Sequence, residues 1–274
     1  MCGISGTIYN KNYVKGNRVE IDELTEYFDN NYPYEISEIL DLSWKYKSNI
    51  NFLRYCKNNN EREKVKNLCN IIDKIILDYK GKIPKINKTE SINDYNKSVK
   101  DYANLQDIKW FFSTEIKRWI ETIEFIADEK VSNLEDEQVV LYKEISKVIH
   151  AIDSRLETRG RDSFGLSIVL NSKFFLEKEK LPLEKNNSNI LENYFFNGEV
   201  GSYTFVFKTF DSIGSLGDNA KAIKNFLKQN SNLKKLVKSM KVETASIVAH
   251  TRWASVGGVS LENCHPLDYI HKGS

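Results

Sequence analysis

The sequence predicts an α+β fold, and three features of its patterning predict it. A short strand-like segment opens the chain, helical apolar spacing runs from about residue 20 to residue 157, and strand-like runs take over after Gly160. In the first of these, Ile4 and Ile8 stand among small residues over Gly3 to Tyr9, ahead of the polar turn Asn10-Lys11-Asn12, which suits a strand leading away from the chain start.

Three helices stand out in the middle region. Val65, Leu68, Cys69, Ile72, Ile75, Ile76 and Tyr79 recur at three- and four-residue steps and make one apolar stripe on a polar cylinder. A second helix runs through Leu105, Ile108, Phe112, Trp119, Ile120 and Ile123. A third carries Leu141, Ile145, Val148, Ile149, Ile152 and Leu156, with Ser132 and Glu135 spaced as a capping box at its start. Together they suggest a small bundle, with Lys80-Gly81-Lys82-Ile83-Pro84 and Lys88-Thr89-Glu90-Ser91 as loops. After Gly160, strands are expected at Phe164–Leu170, Phe174–Leu176 and Tyr203–Phe207, then one amphipathic helix at about 218 to 239. A last apolar strand, Ala245–His250, delivers Thr251-Arg252-Trp253 to its C-terminal end, where sites are usually built.

At 274 residues with 41% hydrophobic content, the chain can form one large domain or a domain with an insertion. A formal net charge of +2 gives no electrostatic ground for a nucleic-acid or anionic-membrane partner. No apolar run approaches the roughly 18 residues of a membrane span, and the start lacks the basic and apolar regions of a signal peptide, so a cytoplasmic protein is expected. Cys2, Cys56, Cys69 and Cys264 show no CxxC spacing; reduced thiols and no metal site are expected, and nothing calls for a cofactor.

The chemistry begins at Cys2. A small second residue permits removal of Met1, which would leave a thiol and a free α-amine on one residue. The amine, with an ordinary pKa near ~8, can take the thiol proton at neutral pH. By itself a cysteine in this place is a common accident. Its neighbours change that: Met1-Cys2-Gly3-Ile4-Ser5-Gly6 resembles the start of class II glutamine amidotransferases. Two further segments resemble the same family in the same order. Arg155-Leu156-Glu157-Thr158-Arg159-Gly160-Arg161-Asp162-Ser163-Phe164-Gly165-Leu166 is similar to its helix-to-strand segment, in which an Arg-Gly turn precedes Asp-Ser. His250-Thr251-Arg252-Trp253-Ala254-Ser255 with Asn263-Cys264-His265-Pro266 is similar to its glutamine-binding segment.

The resemblance implies an N-terminal-nucleophile hydrolase fold, an αββα four-layer sandwich of two antiparallel sheets between helices, here incomplete and carrying a helical insertion. Residues 1–19 and 134–274 would be the glutaminase domain and 20–133 the insertion, which either caps the glutaminase, contacts another domain or is decorative. His-Thr-Arg-Trp-Ala resembles the glucosamine-6-phosphate synthase branch. The implied activity is hydrolysis of glutamine to glutamate and ammonia by Cys2. The ammonia would supply the conversion of fructose 6-phosphate to glucosamine 6-phosphate on a synthase (sugar isomerase) domain, fused or separate, through which the protein could also form a homo-oligomer. An amidotransferase with another acceptor and an inactive protein-binding module are the alternatives.

Roles carry over by position. Arg252 would bind the glutamine α-carboxylate, a task suited to a planar, permanently charged fork; a surface salt bridge is the bland reading. Trp253 would edge or gate the site, or else pack in the core, and Ser255 would add a polar contact. Arg159 and Gly160 would brace the nucleophile with Asp162 fixing the turn, although Gly160 could equally be a helix C-cap. His265, beside a Cys264 read as a small buried hydrophobe, is assigned to structure or domain communication, with a core histidine as the alternative.

Two departures stand against the resemblance. The stretch between Cys2 and Arg159 is much longer than in aminosugar synthases, and Val256 occupies a place where they carry His. The family's oxyanion-hole Asn-Gly pair and its later amine-binding Asp would follow the His-Pro segment, and the sequence ends at Ser274 before either. A truncated chain with little activity of its own is therefore expected, since losing one oxyanion donor costs on the order of a hundredfold or more.

Overall fold

A computed structural model describes residues 3–14, 18–30, 35–82, 92–156, 158, 160, 162–172, 185–187, 190–197, 201–210, 215–239, 242–253, 260 and 264–265. The chain is α+β, and its contacts divide it into two units: residues 1–13 with 122–274, and residues 14–121.

The 14–121 unit is helical: α1 (Ile21–Asn30), α2 (Ile36–Tyr46), α3 (Asn49–Lys57), α4 (Asn59–Lys82) and α5 (Ile92–Trp110). From α5 a π-helical turn, Phe111–Glu115, leads directly into α6 (Ile116–Ala127), which runs through the boundary at Glu121. The second periodic segment of the sequence is thus one rod with an extra residue wound into it. That turn lets Phe111 and Phe112 both be buried, where regular spacing would turn one outward. The first stripe forms α4, which continues through Gly81 to Lys82 where a loop was expected. Val65, Leu68 and Ile72 are buried with Leu24, Ile39, Leu105 and Ile108, and Tyr46 and Phe52 lean on Phe112 and Trp119 at ring separations of 5.2 and 5.7 Å. A polar network crosses this core. Glu61 accepts from the Tyr46 hydroxyl at 2.7 Å and from Arg54 at 3.0 Å, and Arg54 also donates to Glu20 at 2.7 Å and to the Val19 carbonyl at 3.1 Å.

The other unit holds a six-stranded antiparallel sheet of β1 (Gly3–Asn10), β2 (Ser163–Asn171), β3 (Lys185–Asn187), β4 (Ile190–Asn197), β5 (Ser202–Phe210) and β6 (Thr244–Arg252), in the order β1-β6-β2-β5-β4-β3. One sheet is present among the described residues, where the sequence led to an expectation of two. The Phe174–Leu176 segment lies outside them. β3 and β4 were not anticipated, because β3 is three polar residues and Glu192 and Asn193 interrupt the apolar residues of β4.

α7 (Asp136–Ala151) passes into a π-helical turn at Ile152–Leu156, and α8 (Asp218–Gln229) and α9 (Ser231–Ser239) complete the unit. Two local expectations need correction. The capping box at α7 is built by Glu135 and Gln138, with Gln138 Oε1 accepting from the Glu135 N–H at 3.0 Å, while Ser132 belongs to a separate 3₁₀ turn at Val131–Asn133. The helix expected at 218 to 239 is two, because buried Asn230 leaves helical geometry and its side chain accepts from the Leu233 N–H at 2.8 Å, capping α9.

Strand alternation gives the sheet two unlike faces. On one, Tyr9, Phe164, Leu166, Ile168, Leu170, Tyr203, Phe205, Phe207, Ala245, Ile247 and Ala249 are buried. α7 covers this face, and Thr7 Oγ1 donates to Glu144 at 2.7 Å across the contact. On the opposite face Ile4 and Ile8 are 70% and 78% exposed and Val248 is 38% exposed. No helix of the described residues is long and apolar enough to cross a membrane.

Removing the buried hub of the polar network should be costly and removing a surface pair should not. Glu61→Ala leaves the buried Tyr46 hydroxyl without its acceptor and Arg54 with only Glu20 and the Val19 carbonyl, and is expected to lower unfolding free energy by about 3 kcal/mol in urea melts. Lys66→Ala, which breaks an exposed pair with Glu63, should change it by less than about 0.5 kcal/mol.

Candidate functional site

Three sequence segments that lie far apart in the chain meet at one end of the sheet. β6 is hydrogen-bonded on one side to β1, with Gly3 opposite Thr251, and on the other to β2, with Ser163 opposite Arg252. The residues leading into β2 lie against the end of β6: the Asp162 N–H donates to the Arg252 carbonyl at 3.1 Å. At Gly160 the backbones approach so closely that a Cβ would lie 2.8 Å from the Arg252 carbonyl carbon, so the position admits only glycine without a shift of main chain. Gly3 is equally confined, since a Cβ there would meet the Leu156 Cβ at 2.6 Å and Thr251 Oγ1 at 2.8 Å. Thr251 is fully buried and its hydroxyl donates to the Leu156 carbonyl at 3.3 Å, tying the end of the π turn to β6.

Of the residues singled out from sequence, the structure brings Gly160, Asp162 and Arg252 together at this end, next to the strand that begins at Gly3. Arg252 is half-buried, and Trp253 beside it is 46% exposed, which excludes core packing for that ring in this arrangement. Cys2, Arg159 and Ser255 lie outside the described residues, as do Asn263 and Pro266.

His265 lies against His250, ring centroids 4.6 Å apart and planes at 75°. Strand alternation puts His250 on the same sheet face as Arg252. Its register neighbours are Ile4 on β1 and Gly165 on β2, and Gly165 brings no side chain to the space beside it. The Nδ1 atoms of both rings are buried and, among the described residues, have no hydrogen-bond partner. Burial, then the neighbouring His265 and the Arg252 guanidinium, hold the His250 pKa below its ordinary value. Cys264 is buried, its thiol donating to the Ser260 carbonyl at 3.2 Å. Burial pushes that thiol up, only partly offset by a hydrogen bond with Ser163 and by Lys208 and Arg252. Burial, with Asp73 adding to it, likewise pushes Cys69 up to about 11, so neither thiol is a ready nucleophile near neutral pH.

The His250–His265 contact was missed in the sequence, although a signal existed: in a strand, residues two apart share a face, so His250 must accompany Arg252. Its partner could not be read, because no periodicity carries a loop residue onto a strand. Among the described residues no group of three or more His, Cys, Asp or Glu side chains is arranged to hold a metal ion. Comparison with protein-family models, with curated proteins and with solved structures finds no match to this chain.

Gly160→Ala should lower the unfolding free energy by about 1–3 kcal/mol in thermal or urea melts, because the obstruction is backbone. Gly81→Ala, in open space on α4, should raise it by about 0.5–1 kcal/mol. His250 sets a pH dependence. With its folded pKa below the unfolded value of about 6.5, His250 binds its proton first in the unfolded chain, so stability falls as pH drops below about 6.5 and goes on falling toward the lowered folded value. The urea midpoint at pH 5 should lie below that at pH 7.5, and His250→Gln should narrow the gap.

Proposed function

We propose that the chain is the glutaminase part of a class II glutamine amidotransferase, hydrolysing glutamine to glutamate and ammonia with Cys2 as N-terminal nucleophile. The observation that carries the reading is convergence. The three segments on which the family resemblance rests are about 90 to 150 residues apart in sequence, and Gly3, Gly160, Asp162 and Arg252 meet at one sheet end. Nothing in composition or periodicity requires that meeting.

In this reading the α-amine of Cys2, released by loss of Met1, takes the thiol proton. The thiolate attacks the glutamine carboxamide carbon, and the tetrahedral intermediate collapses as its C–N bond breaks and the amine returns the proton, releasing ammonia. Water then cleaves the γ-glutamyl thioester, giving glutamate and restoring the thiol. Arg252 holds the substrate α-carboxylate, Trp253 edges the site and Ser255 adds a polar contact, while Arg159, Gly160 and Asp162 brace the turn beside the nucleophile. His265 acts through its contact with His250 on the same face as Arg252.

The N-terminal-nucleophile sandwich is part of the proposal. One face of the sheet is covered by helix, and the other carries Ile4 and Ile8 in the open; a second sheet laid on that face would bury them. The favoured ammonia acceptor is fructose 6-phosphate on a synthase domain, because of the His-Thr-Arg-Trp-Ala form of the Arg252 segment. Val256, where that branch carries His, favours a different acceptor and is the one specific ground for a second reading.

A glutamine-analogue electrophile, applied to full-length protein from which Met1 has been processed, should add to Cys2 alone by peptide mass spectrometry. Adducts confined to Cys56 or Cys69 would sink the catalytic reading. Arg252→Lys should raise the analogue concentration needed for half-maximal labelling about tenfold or more, because one ammonium cannot replace a bidentate fork.

A further inference from the structure

A cleft of about 380 Å³, within the size range of small-molecule sites, opens between α9 and the chain leading into α7. Its walls are Ala127 to Glu129, Asn133 and Leu134 on one side and Ser231, Lys234, Lys235, Val237 and Lys238 on the other, with Gln138 and Tyr142 of α7 at its base. None of these residues belongs to the site described above.

Three observations give the cleft a chemical sign. Tyr142 is 3% exposed and lines the cleft, yet among the described residues no hydrogen bond engages its hydroxyl. The hydroxyl oxygen is not one of the described buried polar atoms that lack a partner, so its donor is open to the cleft. Burial alone raises this phenol above its ordinary pKa, so it stays a neutral donor. Lys234 and Lys238 are four residues apart and share one helix face, with Lys235 beside them. Among the described residues no ion pair engages any of the three. The acids across the cleft are already committed: Asp128 to Lys228 at 3.2 Å, and Glu129 to the Asn133 amide at 2.8 Å and the Lys130 N–H at 3.0 Å. Glu129 keeps its negative charge, because these partners are neutral donors, and Lys238 adds to the field that stabilises it; with Asp128 paired to Lys228, the three lysines still leave the lining with an excess of positive charge. Leu134, Val237 and Ala127 provide an apolar wall.

We propose that this cleft binds a small organic phosphate, its anionic head on Lys234, Lys235 and Lys238, an oxygen on the Tyr142 hydroxyl, and its apolar body against Leu134 and Val237. Phosphate suits the donors because it offers several acceptor oxygens to several cations at once, with one left for a neutral donor.

The test is titration of the full chain, followed by NMR and calorimetry, with phenyl phosphate, inorganic phosphate and benzoate as probes. Phenyl phosphate is expected to bind saturably, with shifts centred on residues 231–238 and Tyr142, and more tightly than either other probe. The double variant Lys234→Ala/Lys238→Ala should weaken it about tenfold or more, and Tyr142→Phe severalfold, with helical circular dichroism unchanged. Equal affinity in the lysine variant and the parent would overturn the proposal even if Tyr142→Phe fails to fold. Inorganic phosphate binding as tightly as phenyl phosphate would remove the apolar body and with it the ligand class. Benzoate binding more tightly than phenyl phosphate would replace the phosphate by a carboxylate and equally overturn it.

Discussion

The candidate site depends on one constraint, that β6 is paired on both of its edges. A strand bonded on one side only could slide by a residue at modest cost, but β6 answers to β1 and β2 together, and a slip of one residue would turn buried Ile247, Ala249 and Thr251 outward. Register is therefore fixed where Arg252 leaves the sheet. The start of β1, the lead-in to β2 and the Arg252 main chain are held at ångström distances by hydrogen bonds that no side chain at the site has to supply. A side chain can then be spent on chemistry while the backbone keeps the geometry, an arrangement that suits a precise site.

The histidine pair belongs to the same logic on the face that Arg252 shares. Two imidazoles are in contact, and among the described residues neither Nδ1 atom has a hydrogen-bond partner, a condition that costs of the order of 1–3 kcal/mol per group wherever a buried polar atom is left unsatisfied. That cost is borne beside a strand paired on both of its edges. It also links the Cys264–His265 segment to the strand that carries Arg252, so a change at one is felt at the other through a direct ring contact.

Much of this was legible in the sequence, and what was not has identifiable causes. Long amphipathic segments announced α4, α5 with α6, and α7, because a stripe repeated over several turns is hard to imitate by chance. The π turn at Phe111–Glu115 was invisible, since adjacent buried phenylalanines look like ordinary stripe members until the backbone is seen. Asn230 was read through as a helical residue. Its preference for capping is local and competes with an apolar pattern that continues on both sides. At the site, Arg252, Gly160 and Asp162 were found by their motifs, whereas the His250–His265 contact depends on how a loop folds back over a sheet, which local pattern does not encode.

The close approach at Gly160 separates two kinds of residue that a motif lists side by side. A side chain there would collide with main chain whatever the protein does, and the same holds at Gly3 against Leu156 and Thr251. A chain without the proposed reaction would still have to keep both glycines in order to fold this way. Glycines in such a pattern are thus witnesses to shape, whereas a thiol or a guanidinium bears on chemistry.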